Sequence, residues 1–149
     1  MKKLTEQNNH QSNIGDWVIL KNNQFIAFNK PAGLPVQADK TEDKSLQDLA
    51  QIYTKQKLFL CNRIDRPATG IAIFAKNQKA AAHISQQFSS KSIDKVYLAV
   101  VSSPFEYQEG KLKHLLEKNE KVNKSFVVNK KSKFSKPASL ALKLSLIHI

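Results

Sequence analysis

The longest strictly apolar run in this sequence is five residues, Ile71 to Ala75. A helix that crosses a bilayer needs about 20, so the chain must build its core from short segments separated by polar turns. Five apolar residues bounded by turn signals read as a strand buried on both faces. Next come Asn77, a candidate helix cap, and a stripe of Ala80, Ala81, Ile84 and Phe88 at helical spacing. Val96-Tyr-Leu-Ala-Val-Val101 then reads as a second buried strand, so residues 71–101 are expected to form a strand–helix–strand unit. The length, 149 residues, is that of one domain with one core.

Turn chemistry places the other elements. Trp17–Leu20 and Phe25–Phe28 read as strands joined by a tight hairpin, with positive φ expected at Asn22-Asn23. Pro31, Gly33 and Pro35 force a loop. Ser45 is a candidate N-cap for a short helix with Leu46, Leu49, Ala50 and Tyr53 on one side. Phe59–Cys61 reads as a short strand that ends in a polar turn, Asn62–Gly70. Lys111–Glu117 fits a strand or a short helix, and the pattern leaves both open. Lys118–Lys136 reads as a flexible basic segment, densest at Lys130, Lys131 and Lys133, that is either solvated or in contact with phosphate. Leu140, Leu142, Leu144 and Leu146 alternate with other residues at the period of a strand.

Charge narrows the function classes. The formal net charge is +12, which suits a polyanionic partner, and nucleic acid is the commonest. An apolar fraction of 41% argues against a disordered chain. The single cysteine, Cys61, excludes an internal disulfide, and the four histidines show no metal-ligand spacing. The first ten residues are basic but lack the apolar stretch of a secretory signal, so a cytoplasmic protein is expected. Among 24 basic residues only two are arginine, Arg63 and Arg66, and they flank Asp65 in one tetrapeptide. Lysine serves phosphates in general, whereas arginine is used where planar geometry matters. That clustering marks Asp65 as a site.

The order of motifs carries a resemblance. Asn29-Lys-Pro-Ala-Gly33, Asn62-Arg-Ile-Asp-Arg-Pro-Ala-Thr-Gly70, the apolar strand with its Ala-Lys ending, the alanine-rich helix and Lys95-Val-Tyr-Leu-Ala-Val100 follow one another as in the RluA family of RNA pseudouridine synthases, which this chain resembles from about Trp17 to Lys143. The segment around Leu112, His114, Leu116, Asn119 and Asn123 is similar to a branch in which no separate RNA-binding domain precedes the catalytic one. The resemblance implies an α+β fold, with a mixed, mainly antiparallel sheet and flanking helices. It implies isomerisation of specific uridines in structured RNA, ribosomal or transfer, with no cofactor and no metal. It assigns Asp65 as the catalytic carboxylate, with Arg63 and Arg66 flanking it and favouring its ionised form. Arg63 would fill the space left by the flipped uridine, Tyr97 would lie against its base, and Arg66 would join them in binding substrate. Lys30, Lys130, Lys131 and Lys133 are the candidate RNA contacts.

Two departures accompany it. Asn62 stands where the family has histidine, and the later Thr-Gly-Arg motif, whose arginine pairs with the aspartate, is not in the sequence. The last six residues, Leu144-Ser-Leu-Ile-His-Ile149, match the translation of a transposase adapter used in sequencing libraries. The expected organisation is a flexible tail at 1–13, a partial catalytic domain at 14–143 that is incomplete at its C-terminus, and a non-native tail at 144–149. Nothing in the sequence indicates oligomerisation or a membrane. The rival readings are a non-catalytic RNA-binding or ribosome-assembly module and a basic structural domain without an RNA partner.

Overall fold

The computed structural model describes residues 13–41, 43–101, 109–122 and 124–144. The tail expected at 1–13 and the one expected at 144–149 fall almost wholly outside them. The chain divides at Lys95/Val96 into two compact units.

In the first unit, a single 3-10 turn, Ile14–Trp17, leads into β1 (Val18–Lys21) and β2 (Phe25–Lys30). Helix α1 (Leu46–Thr54) and strand β3 (Phe59–Leu60) follow, then β4 (Gly70–Ala75) and helix α2 (Gln78–Ser89). The sheet order is β1-β2-β4-β3, antiparallel throughout, with Lys30 opposite Gly70 and Phe25 opposite Ala75. The hairpin expected at Asn22-Asn23 is present, but neither asparagine has positive φ. The Asn22 side chain closes the turn instead, its Oδ1 accepting from the amides of Gln24 (2.8 Å) and Phe25 (2.7 Å).

Both helix caps are as expected. Ser45 and Asp48 form a capping box: the Asp48 amide donates to Ser45 Oγ (3.2 Å) and the Ser45 amide donates to Asp48 Oδ2 (3.0 Å). Asn77 Oδ1 accepts from the Ala80 amide at 2.9 Å. In α2 Ala80 is buried and Ala81, Ile84 and Phe88 are half-buried, on the stripe the spacing predicts. The core joins Ile26 and Phe28 of β2, Ala72 and Phe74 of β4, Leu46 and Ala50 of α1, and Val36 and Leu58 from loops. Phe28 and Phe74 meet edge to face, with ring centroids 6.0 Å apart. β4 is central but not buried on both faces along its length, since Ile71 is 55% exposed.

The second unit contains β5 (Glu109–Asn119), β6 (Lys124–Val128) and β7 (Lys136–Lys143), in the antiparallel order β6-β5-β7. The ambiguity at Lys111–Glu117 resolves as strand. The segment expected to be flexible, Lys118–Lys136, instead contains β6 and the ends of both its neighbours. Alternation at Leu140 and Leu142 correctly marks β7. The strand expected at Val96–Val101 is not formed. No strand among the described residues offers it a ladder, and Val96, Leu98 and Val100 are almost fully exposed. β-propensity expresses itself only against a neighbour. The fold is α+β with two helices, as expected, and every strand pair among the described residues is antiparallel.

Phe74→Ala is expected to destabilise the first unit by about 3–5 kcal/mol, through lost burial and a residual cavity. Ile71→Ala, on the same strand, should change stability by less than about 1 kcal/mol. Urea unfolding followed by the fluorescence of Trp17, which packs against this core, distinguishes the two.

Candidate active site

The turn that carries Asp65 lies between β3 and β4 and is fastened at several points. At its entry the Cys61 amide donates to the Ile73 carbonyl (2.9 Å). The Asn62 side chain continues the ladder: its Nδ2 donates to the Ile71 carbonyl and its Oδ1 accepts from the Ile73 amide, both at 2.8 Å. Asparagine in the family's histidine position therefore keeps the turn on β4 by mimicking a peptide group. From here burial alternates. Arg63 and Asp65 are exposed, while Asn62, Ile64 and Arg66 are half-buried, with Ile64 packed on the core. Arg63 and Asp65 thus share the solvent side. The Ala68 amide closes a turn on the Asp65 carbonyl (3.0 Å), and Gly70 at φ 135° reverses the chain into β4.

Lys30 underlies this turn. It ends β2 opposite Gly70, is fully buried, and donates from Nζ to the carbonyls of Pro31 (2.8 Å), Leu34 (2.9 Å) and Arg66 (3.2 Å). These three acceptors use all three ammonium protons. Burial pushes its pKa below the ordinary lysine value, and the Asp65 charge nearby raises it partway back. The assignment of Lys30 as an RNA contact is therefore corrected: a side chain with no exposed surface and no spare donor reaches no phosphate. It is a strut between the 31–34 loop and the Asp65 turn.

Arg66 also departs from expectation. Its guanidinium bonds Asp43, Asp39 and Thr41 rather than Asp65. Among the described residues neither arginine is within ion-pair distance of the Asp65 carboxylate, so the expected Arg63–Asp65–Arg66 charge cluster is not formed. Arg63 makes no side-chain hydrogen bond or ion pair among them and projects into solvent. Tyr97 belongs to the second unit and is 70% exposed, on a segment without strand pairing. Lys130, Lys131 and Lys133 lie together, all exposed, on the β6–β7 connection of that unit. Lys30, Arg63, Asp65 and Arg66 are thus gathered by one unit, and Tyr97 with the three loop lysines belongs to the other. No helix among the described residues is long and apolar enough to cross a membrane.

Sequence reasoning missed Gly33, Asp39, Thr41 and Asp43 as supports of the turn. Gly33 had a signal, a glycine between two prolines. The acidic pair had another, being two of only 12 carboxylates in a basic chain.

The family model for RNA pseudouridylate synthase matches residues 24–145. The chain is 34% identical over 87 residues to tRNA pseudouridine synthase C of Haemophilus ducreyi, covering 56% of this chain and 36% of that protein. It is 28% identical over 106 residues to ribosomal large subunit pseudouridine synthase C of Rickettsia bellii, covering 70% of this chain and 35% of that protein. A solved structure, human RNA pseudouridylate synthase domain containing 1, superposes with a TM-score of 0.68 at 17% identity over 82% of this chain and 49% of that one. This chain belongs to the RNA pseudouridylate synthase family, as its RluA-type motifs implied. It spans less than half the length of these relatives.

Lys30→Met should destabilise the first unit by about 2–5 kcal/mol, because it strands carbonyls that pointed at a cation. A folded-state pKa below the unfolded value means that the folded chain releases this proton first. The advantage of the wild type over the variant should therefore rise with pH, from the folded-state value up to 10.5, and be flat below that window. Denaturant unfolding at a series of alkaline pH values measures it. Asn62→Ala, which removes two hydrogen bonds to β4, should cost about 1–3 kcal/mol by the same method.

Proposed function

We propose that this chain is part of the catalytic domain, at residues 14–143, of a cytoplasmic RNA pseudouridine synthase that acts on uridines of structured transfer or ribosomal RNA through Asp65. The observation that carries this reading is the exposed Asp65 carboxylate, on a turn fastened from below and at both ends, in a chain whose family match runs through it. A reacting carboxylate has to be accessible to the sugar and held in place; the exposure of Asp65 and the bonded backbone of its turn support this role.

The reaction needs a uridine swung out of its stack. Its N1–C1′ bond breaks, the uracil turns, C5 bonds to C1′, and the proton displaced from C5 is replaced by one on N1, so that atoms and charge balance. Asp65 serves either as the nucleophile at C1′ or as the base on a glycal route. Arg63, exposed on the same side of the turn, fills the vacated stack and offsets part of the few kcal/mol that flipping costs. The family resemblance assigns Tyr97 the stacking of the uracil, a contact worth roughly 1–3 kcal/mol. The exposed Lys130, Lys131 and Lys133 contact phosphate, and a net charge of +12 supports RNA as the partner. No cofactor or metal takes part.

The arginine that the family resemblance pairs with the aspartate is sought beyond Lys143 in the native reading frame, since no arginine follows Arg66 here. The 149-residue chain by itself is therefore expected to be inactive. Tritium release from RNA labelled at uridine C5, with the product of the complete reading frame, tests the proposal. Wild type should turn over, and Asp65→Asn should lose all turnover while binding the RNA as before. Undiminished turnover by Asp65→Asn sinks the assignment, and absence of pseudouridine in the wild-type reaction leaves the non-catalytic RNA-binding reading.

A further inference from the structure

The Arg66 guanidinium carries three nitrogens, and each has a partner, on one of two loops. Nε donates to the Gly33 carbonyl at 2.8 Å. Nη1 donates to Thr41 Oγ1 at 3.0 Å and faces Asp39 Oδ2 at 3.5 Å, while Nη2 meets Asp43 Oδ2 at 2.5 Å. The backbone of the same residue is equally engaged: its carbonyl accepts from the Gly33 amide at 2.8 Å and from Lys30 Nζ at 3.2 Å. Gly33 and Arg66 therefore bond reciprocally. Gly33 does so at φ 84°, in the left-handed region that favours glycine.

We propose that Arg66 is a positioning residue, which sets where the Asp65 carboxylate stands by stitching the Asp65 turn to the 31–34 and 39–43 loops. The inference rests on the reading of Asp65 as the reacting carboxylate. Asp65 and Arg66 are successive residues, so holding the side chain and the carbonyl of Arg66 leaves Asp65 little freedom on its C-terminal side. Two acidic residues beside one of two arginines, in a chain so strongly basic, are then accounted for. They hold the guanidinium on the 39–43 loop, and no RNA contact is needed to explain them. The Asp39 carboxyl is held below its usual range, chiefly by hydrogen bonds from Thr41 with a smaller contribution from Arg66, and stays available as an anion.

A planar fork with donors in fixed directions can satisfy Gly33, Thr41 and Asp43 together, and a lysine ammonium cannot. The ion pairs are 40–58% exposed and add little to global stability, so the effect of losing the fork is local.

Two measurements on Arg66→Lys test this. In the 149-residue chain, hydrogen exchange at the Gly33 amide should quicken by about fivefold to tenfold, the equivalent of one lost hydrogen bond, while the amides of Ile26 and Phe74 in the sheet stay as protected as before. In the complete gene product, kcat for tritium release should fall by roughly 10²-fold with KM for RNA unchanged, as expected for a misplaced reacting group. Asp39→Asn combined with Asp43→Asn should reproduce part of the kcat loss and add nothing to Arg66→Lys. That double variant also supplies both readouts should Arg66→Lys not fold. Unaltered Gly33 exchange overturns the inference. So does a rise in KM at constant kcat, which would make Arg66 a substrate contact. If wild type releases no tritium, the Asp65 reading fails, and the exchange measurement alone decides the role of Arg66.

Discussion

A single buried ammonium holds the candidate site together. Lys30 sits at the end of β2 with no exposed surface, and the desolvation of its charge is offset only because three carbonyls converge on it. Those carbonyls come from two loops that are distant in sequence. The cation therefore converts what would be two independent loops into one body with the sheet beneath. A carboxylate at the surface of a free loop would sample many positions, whereas that of Asp65 stands on a turn whose neighbours on both sides are bonded inward.

The two units are built on different balances. The first buries apolar side chains from β2, β4, α1 and the intervening loops in one cluster, and its polar loops are stitched by side chains that reach backbone groups. The second has no buried residue among those described; its sheet is held by the β5–β6 and β5–β7 ladders, and its lysines stand in solvent on the β6–β7 connection. The first construction fastens the Asp65 turn to the sheet, and the second leaves its lysines exposed.

Local rules were legible wherever one residue's own chemistry decides the outcome. Ser45 and Asn77 cap helices because their side-chain oxygens reach backbone amides three residues on, whatever the surroundings. Asn22 closes its hairpin, although by its side chain rather than by positive φ. Rules that depend on a partner failed. Val96–Val101 has strand composition but no ladder, and the Lys-rich stretch 118–136 looked unstructured until β5 supplied an edge for β6. Charge was the least transferable signal: Lys30 was indistinguishable from the other lysines, and Arg66 next to Asp65 suggested a pair that the structure directs elsewhere.

From the amino-acid order alone came the α+β class, the caps, the central strand, the family and the singling out of Asp65. All of these rest on spacing and on interactions within a few residues. The tertiary structure alone decided which cation is buried, which arginine serves the scaffold, and that Asn62 substitutes for a peptide group on β4. The first two roles are set by groups brought together across more than 30 positions, as Arg66 is with Gly33 and Lys30, and the third by a β3–β4 pairing that Asn62 joins 9 and 11 positions on, so no pattern within a few residues encodes them.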